Sequence, residues 1–284
     1  MQDLAEFAPA LALVFGLLVG SFLNVVILRL PPRLEFGWRR DAREVLELPA
    51  ETGAPPVGIV VEPSHCPKCG HGLSWYENIP LLSWLLLRGR CRDCKAPISI
   101  QYPLVEALTG LVSAWVIYRF GATAAGGFAL VFSWFLIAAA GIDARTTWLP
   151  DPLTLPLLWL GLIAASFGVF VDPVSAIWGA VGGYLSLWSI FWGFKLLTGK
   201  DGMGYGDFKL LAALGAFTGW QGLLPTVLMA SLIGAVVGGL ALWLQDQDRQ
   251  TPIPFGPFLA FGGWMQLMFG GELVAKYFQL MGMH

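Results

Sequence analysis

Uncharged apolar runs of roughly membrane-spanning length recur along the chain: Phe7 to Leu28, Phe120 to Ile142, Pro152 to Val171, Pro173 to Phe194 and Gln250 to Gly271. Each is near the ~20 residues that cross a bilayer core as helix. The stretch Leu210 to Gln245 is too long for one crossing, and Gly219, Gly222 and Pro225 interrupt it, so it predicts two shorter helices. Ala107 to Tyr118 is short but lengthens if its helix begins near Pro103. The pattern predicts an all-α polytopic membrane protein of about eight transmembrane helices. It divides into a first span over residues 1–30, a polar loop over 31–102 and a seven-helix core over 103–284.

Composition agrees. The 284-residue chain is 56% hydrophobic and 13% charged, against about 25% charged in soluble domains. The distribution of charge says more than its net value of -2. With the N-terminus outside and alternating spans, ten Lys and Arg from Arg29 to Lys95 lie inside, with Arg145, Lys195, Lys200, Lys209 and Arg249; Arg119 and Lys276 lie outside. That is a strong positive-inside bias, and it survives discounting the long loop. The first span carries Asp3 and Glu6 in front and its positive charge behind, so it reads as a retained anchor and not a cleavable signal. Membrane lipid is the expected surrounding, and no nucleic-acid partner is expected.

The polar loop holds the most specific local signal. Cys66-Pro67-Lys68-Cys69 and Cys91-Arg92-Asp93-Cys94 contain all four cysteines. Two Cys-x-x-Cys turns complete a tetrahedral sulfur site for which Zn²⁺ is the default occupant. Four sulfur ligands leave no open position, so the role is structural. Disulfides are the competing reading, disfavoured in the reducing compartment that the charge bias assigns. His65 and His71 are expected to be solvated. Asn24 is expected to form an interhelical hydrogen bond, and Pro31-Pro32 to end the first helix. Arg39 to Leu48 is expected to form one short helix within a charged, poorly structured segment from Arg33 to Pro63. Trp75 to Arg90 is too apolar for a solvated loop and too broken for a span, so it is placed on the membrane surface, with Trp75 and Trp84 at headgroup level. Glu106 reads as an acid at a helix start.

Two carboxylates stand out in the membrane part. Gly202-Met203-Gly204-Tyr205-Gly206-Asp207 places three alternate glycines before an acid at the mouth of an apolar segment. Asp143 ends the span that lies two apolar segments upstream. Spans four and five run there and back between them, which puts Asp143 and Asp207 on the same, inner face. Acids at membrane depth are expensive and mark function. Two carboxyls in one site share one proton, and such a pair can activate water and protonate a peptide. No nucleophilic Ser elbow, His-Glu-x-x-His or Walker loop competes. Asp151, before Pro152, reads as a helix N-cap. Gly179 and Gly183, Gly215 and Gly219, and Gly234 and Gly238 read as helix-packing pairs. Thr251-Pro252-Ile253-Pro254-Phe255-Gly256-Pro257-Phe258 reads as irregular backbone and not ordinary helix, either an interfacial turn or part of a cleft for an extended peptide.

The chain resembles the type IV prepilin peptidases. The resemblance rests on Gly20-Ser21-Phe22-Leu23-Asn24, both Cys turns, Tyr76-Glu77-Asn78-Ile79-Pro80, the Asp143 segment, Gly204-Tyr205-Gly206-Asp207, and Pro254 to Ala260. It implies aspartic endopeptidase chemistry at Asp143 and Asp207, on the bacterial inner membrane. It implies removal of a short basic leader from prepilins and pseudopilins at a Gly-Phe junction. It also implies methylation of the new N-terminus with S-adenosylmethionine, for which Trp75 to Arg90 is the expected pocket wall. Peptidase activity alone, a transporter with intramembrane acids, and a membrane scaffold docking a partner through the knuckles are the alternatives.

Overall fold

The computed structural model describes residues 2–49, 53–245 and 254–280, with side chains for 6–49, 53–240 and 254–272. The start expected at Gln250 and the charges at Arg249 and Lys276 therefore fall outside the described residues or side chains. Among the described residues the chain is helical, with no strand and two isolated bridges, His65 with Gly72 and Arg90 with Pro97. It forms two units that divide between Tyr118 and Arg119.

The first unit begins with α1, Gln2–Val45. Phe7, Leu11, Val14, Phe15, Leu18 and Phe22 form one exposed apolar stripe on it, at the spacing of a single helix face. A short helix, α2 (Leu82–Leu86), comes next in the chain, and the opposite face of α1 packs on α3, Gln101–Phe120. There Gly16 and Gly20 leave room for Ser113, Thr109 and the backbone of Glu106. Asn24 makes the expected interhelical bond, its amide donating to the Tyr102 carbonyl at 3.1 Å. The proline pair does not end α1. Pro31 and Pro32 lie within it, and the short helix expected at Arg39 is its last turns. A proline's φ is helix-compatible and only its missing donor and ring bulk oppose continuation. Here the helix is tied down around the pair: Arg29 donates to the carbonyls of Gly58 and Glu62, and Arg33 to that of Pro56. These bonds also hold residues 56–62 alongside, where the composition had suggested little structure.

The second unit contains α4 (Ala124–Thr146), α5 (Asp151–Ser166), α6 (Pro173–Thr198), α7 (Tyr205–Thr218), α8 (Leu223–Gln245) and α9 (Gly256–Leu280). The long stretch from Leu210 does divide in two. Gly219 takes φ 72°, ends α7 and leads through a 3₁₀ turn, Trp220–Gly222, into α8, a conformation that glycine adopts without strain. Among the described residues four helices are long and apolar enough to cross a membrane: Glu6–Val45 within α1, α4, α6, and Trp220–Leu240.

The centre of this unit is α7. It is buried nearly all round, from Asp207 and Phe208 through Leu210 to Phe217, as a helix apolar on every face requires. Its main partners are α6 and α5, with α9 on a further side. The α6 contact is backbone to backbone: a Cβ on Gly179 would collide with the Gly215 carbonyl, and one on Gly183 would lie 2.6 Å from the Leu211 carbonyl. Small residues are what permit such an approach where lipid supplies no hydrophobic drive between helices. Phe132 of α4 meets Phe217 of α7 with ring centroids 4.6 Å apart.

Gly179→Val is expected to lower the thermal midpoint of detergent-purified protein by several degrees or to prevent its accumulation, since overpacking of this kind costs about 1–3 kcal/mol or more. Gly193, also on α6, has open space where its Cβ would be, so Gly193→Ala is expected to be neutral or slightly stabilising. Equal behaviour of the two variants would argue against the close crossing.

Candidate active site and metal centre

Three helix ends of the second unit converge. Asp143 sits in the last turn of α4 and Asp207 is the third residue of α7; both are buried, at 4% and 8% exposure. The third end is the start of α9, where the Gly256 N–H donates to Asp143 Oδ2 at 2.8 Å. A helix N-terminus offers unpaired donors and a partial positive charge, so this carboxylate serves as its cap from another helix. Asp143 and Asp207 are near enough for their charges to repel. Among the described residues neither makes an ion pair with Lys, Arg or His.

Leu149, in the short link from α4 to α5, wedges these ends together. A Cβ on Gly206 would lie 2.6 Å from the Leu149 Cβ, and one on Gly256 would lie 3.1 Å from its Cδ1 and 2.7 Å from Asp143 Oδ2. The last two of the alternate glycines therefore have different reasons. Gly206 lets α7 approach the α4–α5 link. Gly204 is the N-cap of α7 with no side-chain cap bond, and the nearest atom to its missing Cβ is Asp207 Oδ2 at 3.8 Å. Asp207 is thus not the N-cap; as the third residue of the helix it turns its carboxylate back to the Gly204 amide. Asp151 is not a cap either. Pro150 occupies that position, its carbonyl accepting from Leu153 and Thr154, and the Asp151 carboxylate pairs with Lys209 of α7 at 2.6 Å. The Pro150 carbonyl takes only the first intrahelical bonds and no side chain caps this helix, so the acid one residue further on is available to the helix next door. The proline-rich segment begins α9 one residue after Phe255, because Pro257 falls in the first turn, where its missing donor costs nothing. The atom of it that meets Asp143, the Gly256 amide, is not marked by any motif; a glycine between two prolines at a helix start was the available signal.

The first unit holds the cysteines. Their four sulfurs lie within 4.8 Å of one another, with Cys66 Sγ 3.8 Å from Cys94 Sγ and Cys69 Sγ 3.9 Å from Cys91 Sγ. These are not disulfides. Four sulfurs at about 2.3 Å from one tetrahedral ion are about 3.8 Å apart, so the donor set fits Zn²⁺. The two turns repeat one geometry. Cys66 N–H donates to the His71 carbonyl and Cys91 N–H to that of Ala96, and Gly70 and Lys95 both take left-handed backbone. The amides of Cys69 and Lys68 face Cys66 and bring its thiol down to about 6. Cys69 faces the His71 amide, yet burial and the neighbouring thiols Cys94, Cys66 and Cys91 push it up to about 12. A second thiolate is disfavoured beside the first until a cation joins them, which couples metal binding to proton release.

His71 is not a solvated bystander. Its Nε2 lies 3.2 Å from Glu77 Oε2 and its Nδ1 3.0 Å from Asp93 Oδ2, so it bridges from one knuckle to the other. Glu77, 7% exposed, also accepts from the Ser74 amide at 2.9 Å and lies 4.0 Å from Arg92. His65 is exposed as expected. Trp84 packs against its own loop. It is half-buried, its indole donating to the Ile98 carbonyl at 3.3 Å, whereas Trp75 is 80% exposed. A polar indole nitrogen finds its partner inside the loop, so that ring turns inward. Glu106 is no idle helix-start acid: it is buried, and accepts from the Leu81 amide at 2.9 Å.

Residues 14–120 match the bacterial peptidase A24 N-terminal domain, and residues 130–239 match the type IV leader peptidase family. Among curated proteins, the chain is 56% identical over 268 residues to a prepilin leader peptidase/N-methyltransferase of Xanthomonas campestris pv. campestris, covering 94% of this chain and 93% of that one. It is 54% identical to the protein of that name from Stutzerimonas stutzeri, covering 94% and 93%. For that of Pseudomonas aeruginosa the figures are 53%, 95% and 93%. No solved structure matches.

One zinc per chain is expected on metal analysis of purified protein, and Cys66→Ser or Cys94→Ser is expected to lower it. Absence of metal with intact thiols would contradict the tetrahedral reading.

The Glu77 carboxyl is held below the usual carboxylate range, first by the Ser74 amide and then by His71 and Arg92. It therefore stays ionised well below neutral pH, and what it stabilises is lost only as pH falls through that lowered value. Glu77→Gln is expected to speed zinc loss to a chelator by the same factor from pH 6 to 8. A step within that window would contradict it.

Proposed function

The chain belongs to the type IV leader peptidase family, and from that premise we propose that it removes the basic leader from prepilins and pseudopilins with Asp143 and Asp207 as its catalytic pair. The observation that carries this is the convergence of two buried carboxylates at the ends of α4 and α7, with a backbone amide against each, that of Gly256 on Asp143 and that of Gly204 on Asp207. In this proposal the pair shares one proton. The ionised carboxylate takes a proton from water as the water oxygen bonds to the scissile carbonyl carbon. The protonated one gives its proton to the substrate, and collapse breaks the C–N bond and releases the new amine. The Gly256 amide is a natural restraint on Asp143 in the ionised form, since hydrogen bonds to the charged form favour it. Gly-Phe is the proposed junction, by family resemblance.

The finer placement is part of the same proposal. We take α1 and α3 to α9, the four helices of membrane-crossing length and the shorter ones with them, as eight crossings of the inner membrane, with the N-terminus outside and the carboxylates toward the cytoplasmic face; the basic residues support that orientation. The exposed apolar stripe of α1 supports lipid contact. The cysteine site would hold Zn²⁺ through Cys66, Cys69, Cys91 and Cys94 and keep the loop in shape. The name its relatives carry, prepilin leader peptidase/N-methyltransferase, supports a second activity on this chain, N-methylation of the newly exposed terminus with S-adenosylmethionine as donor. A transporter is disfavoured because the acids lie at helix ends and not in mid-span.

Asp143→Asn and Asp207→Asn are each expected to abolish leader cleavage by purified protein while it still accumulates in the membrane, because Asn keeps the size but cannot accept the proton. Asp151→Asn loses an exposed ion pair worth about 0–1 kcal/mol and is expected to retain substantial activity. Full activity in either of the first two variants would remove the pair from the mechanism.

A further inference from the structure

The first unit encloses a cavity of about 450 Å³ between α1, the two cysteine turns and the start of α3, a size within the roughly 300–1,000 Å³ of small-molecule sites. Two buried carboxylates line it, Glu77 and Glu106, each 7% exposed. They differ in their company. Glu77 has His71 and Arg92 beside it. Glu106 has only neutral donors, the Leu81 amide and the Ser21 hydroxyl. Among the described residues no Lys, Arg or His lies within ion-pairing distance of it. A buried carboxylate without a cation is expensive to keep, and this one opens onto space that a ligand can fill. Trp84 and Tyr102 add aromatic walls. Trp84 is held by its bond to Ile98 and by contact with Gly89, whose Cβ would lie 2.9 Å from the ring.

We propose that this cavity is the binding site for the sulfonium methyl donor, with Glu106 facing the cationic end of the molecule and the aromatic walls its purine. The inference rests on the methyl-transfer reading above and gives it a place and a charge. It also assigns Glu106 a task in turnover. In the transfer, the amine nitrogen's lone pair forms the N–C bond to the donor methyl. The C–S bond breaks with its electron pair staying on sulfur, and one proton leaves the amine for solvent. The donor is a cation at sulfur and the product a neutral thioether, so Glu106 attracts the donor more strongly than the product and favours their exchange. Glu106 is a positioning residue for the donor and has no part in leader cleavage.

The test uses zinc-loaded, full-length protein in detergent and equilibrium binding of S-adenosylmethionine and S-adenosylhomocysteine. Glu106→Gln is expected to weaken donor binding at least tenfold and product binding less than threefold, with cleavage within twofold of wild type and zinc content unchanged. Leu28→Trp, which fills the cavity from α1, is expected to weaken both ligands. Retained zinc and cleavage certify that either variant is folded; if Glu106→Gln loses them, Leu28→Trp carries the test. Unchanged donor affinity in the variants, with wild type still methylating a pre-cleaved pilin, would overturn this site and leave methyl transfer standing. A wild type that neither binds donor nor methylates would remove the methyl-transfer reading itself. A raised KM for leader cleavage in Glu106→Gln, with donor binding intact, would assign the cavity to the basic leader instead.

Discussion

Two acids kept out of water and within reach of each other's charge are the constraint on which the second unit is built. Asp143 and Asp207 are both buried, and among the described residues no basic side chain offsets either. The structure answers with backbone. α4 ends at one acid, α7 begins at the other, and α9 begins with an amide pointed at the first. Leu149 fills the junction, and Gly206 and Gly256 are the residues small enough to close around it. An arrangement assembled from helix ends inherits the rigidity of the helices, and its backbone donors are fixed in place by them.

That rigidity depends on α7. A helix this fully buried has to be matched on each side, and the match to α6 is made by glycines meeting carbonyls rather than by interlocking side chains. Asp207 is thereby placed at one end of the most constrained helix of the unit. The first unit uses a different device. Its loop has too little apolar packing to hold itself, and four sulfurs, the His71 bridge and the buried Glu77 supply the cross-links.

Much of this could be read from the chain, because membrane helices and Cys-x-x-Cys turns leave strong local patterns. The glycine break after Thr218, the reach of α3 back to Gln101, the Asn24 bond and the gathering of four cysteines all followed from spacing and apolar length. The failures share a cause, which is that tertiary partners override local rules. Pro31 and Pro32 lie inside a helix that Arg29 and Arg33 fasten to a distant segment. Asp151 looked like a cap and is a partner for Lys209, a residue 58 positions away. The Gly256 amide lies 113 residues from the carboxylate it meets, and no local pattern encodes that distance.

The claim at the centre is that Asp143 and Asp207 act as one unit sharing one proton. The pH dependence of leader cleavage by purified protein, measured as kcat/KM on a substrate without titratable groups near the junction, tests it most directly. The account predicts a bell-shaped profile, falling on the acid side when the base is protonated and on the alkaline side when the acid has lost its proton. A profile that rises once to an alkaline plateau would mean a single ionisation governs the reaction, and would contradict the shared-proton pair.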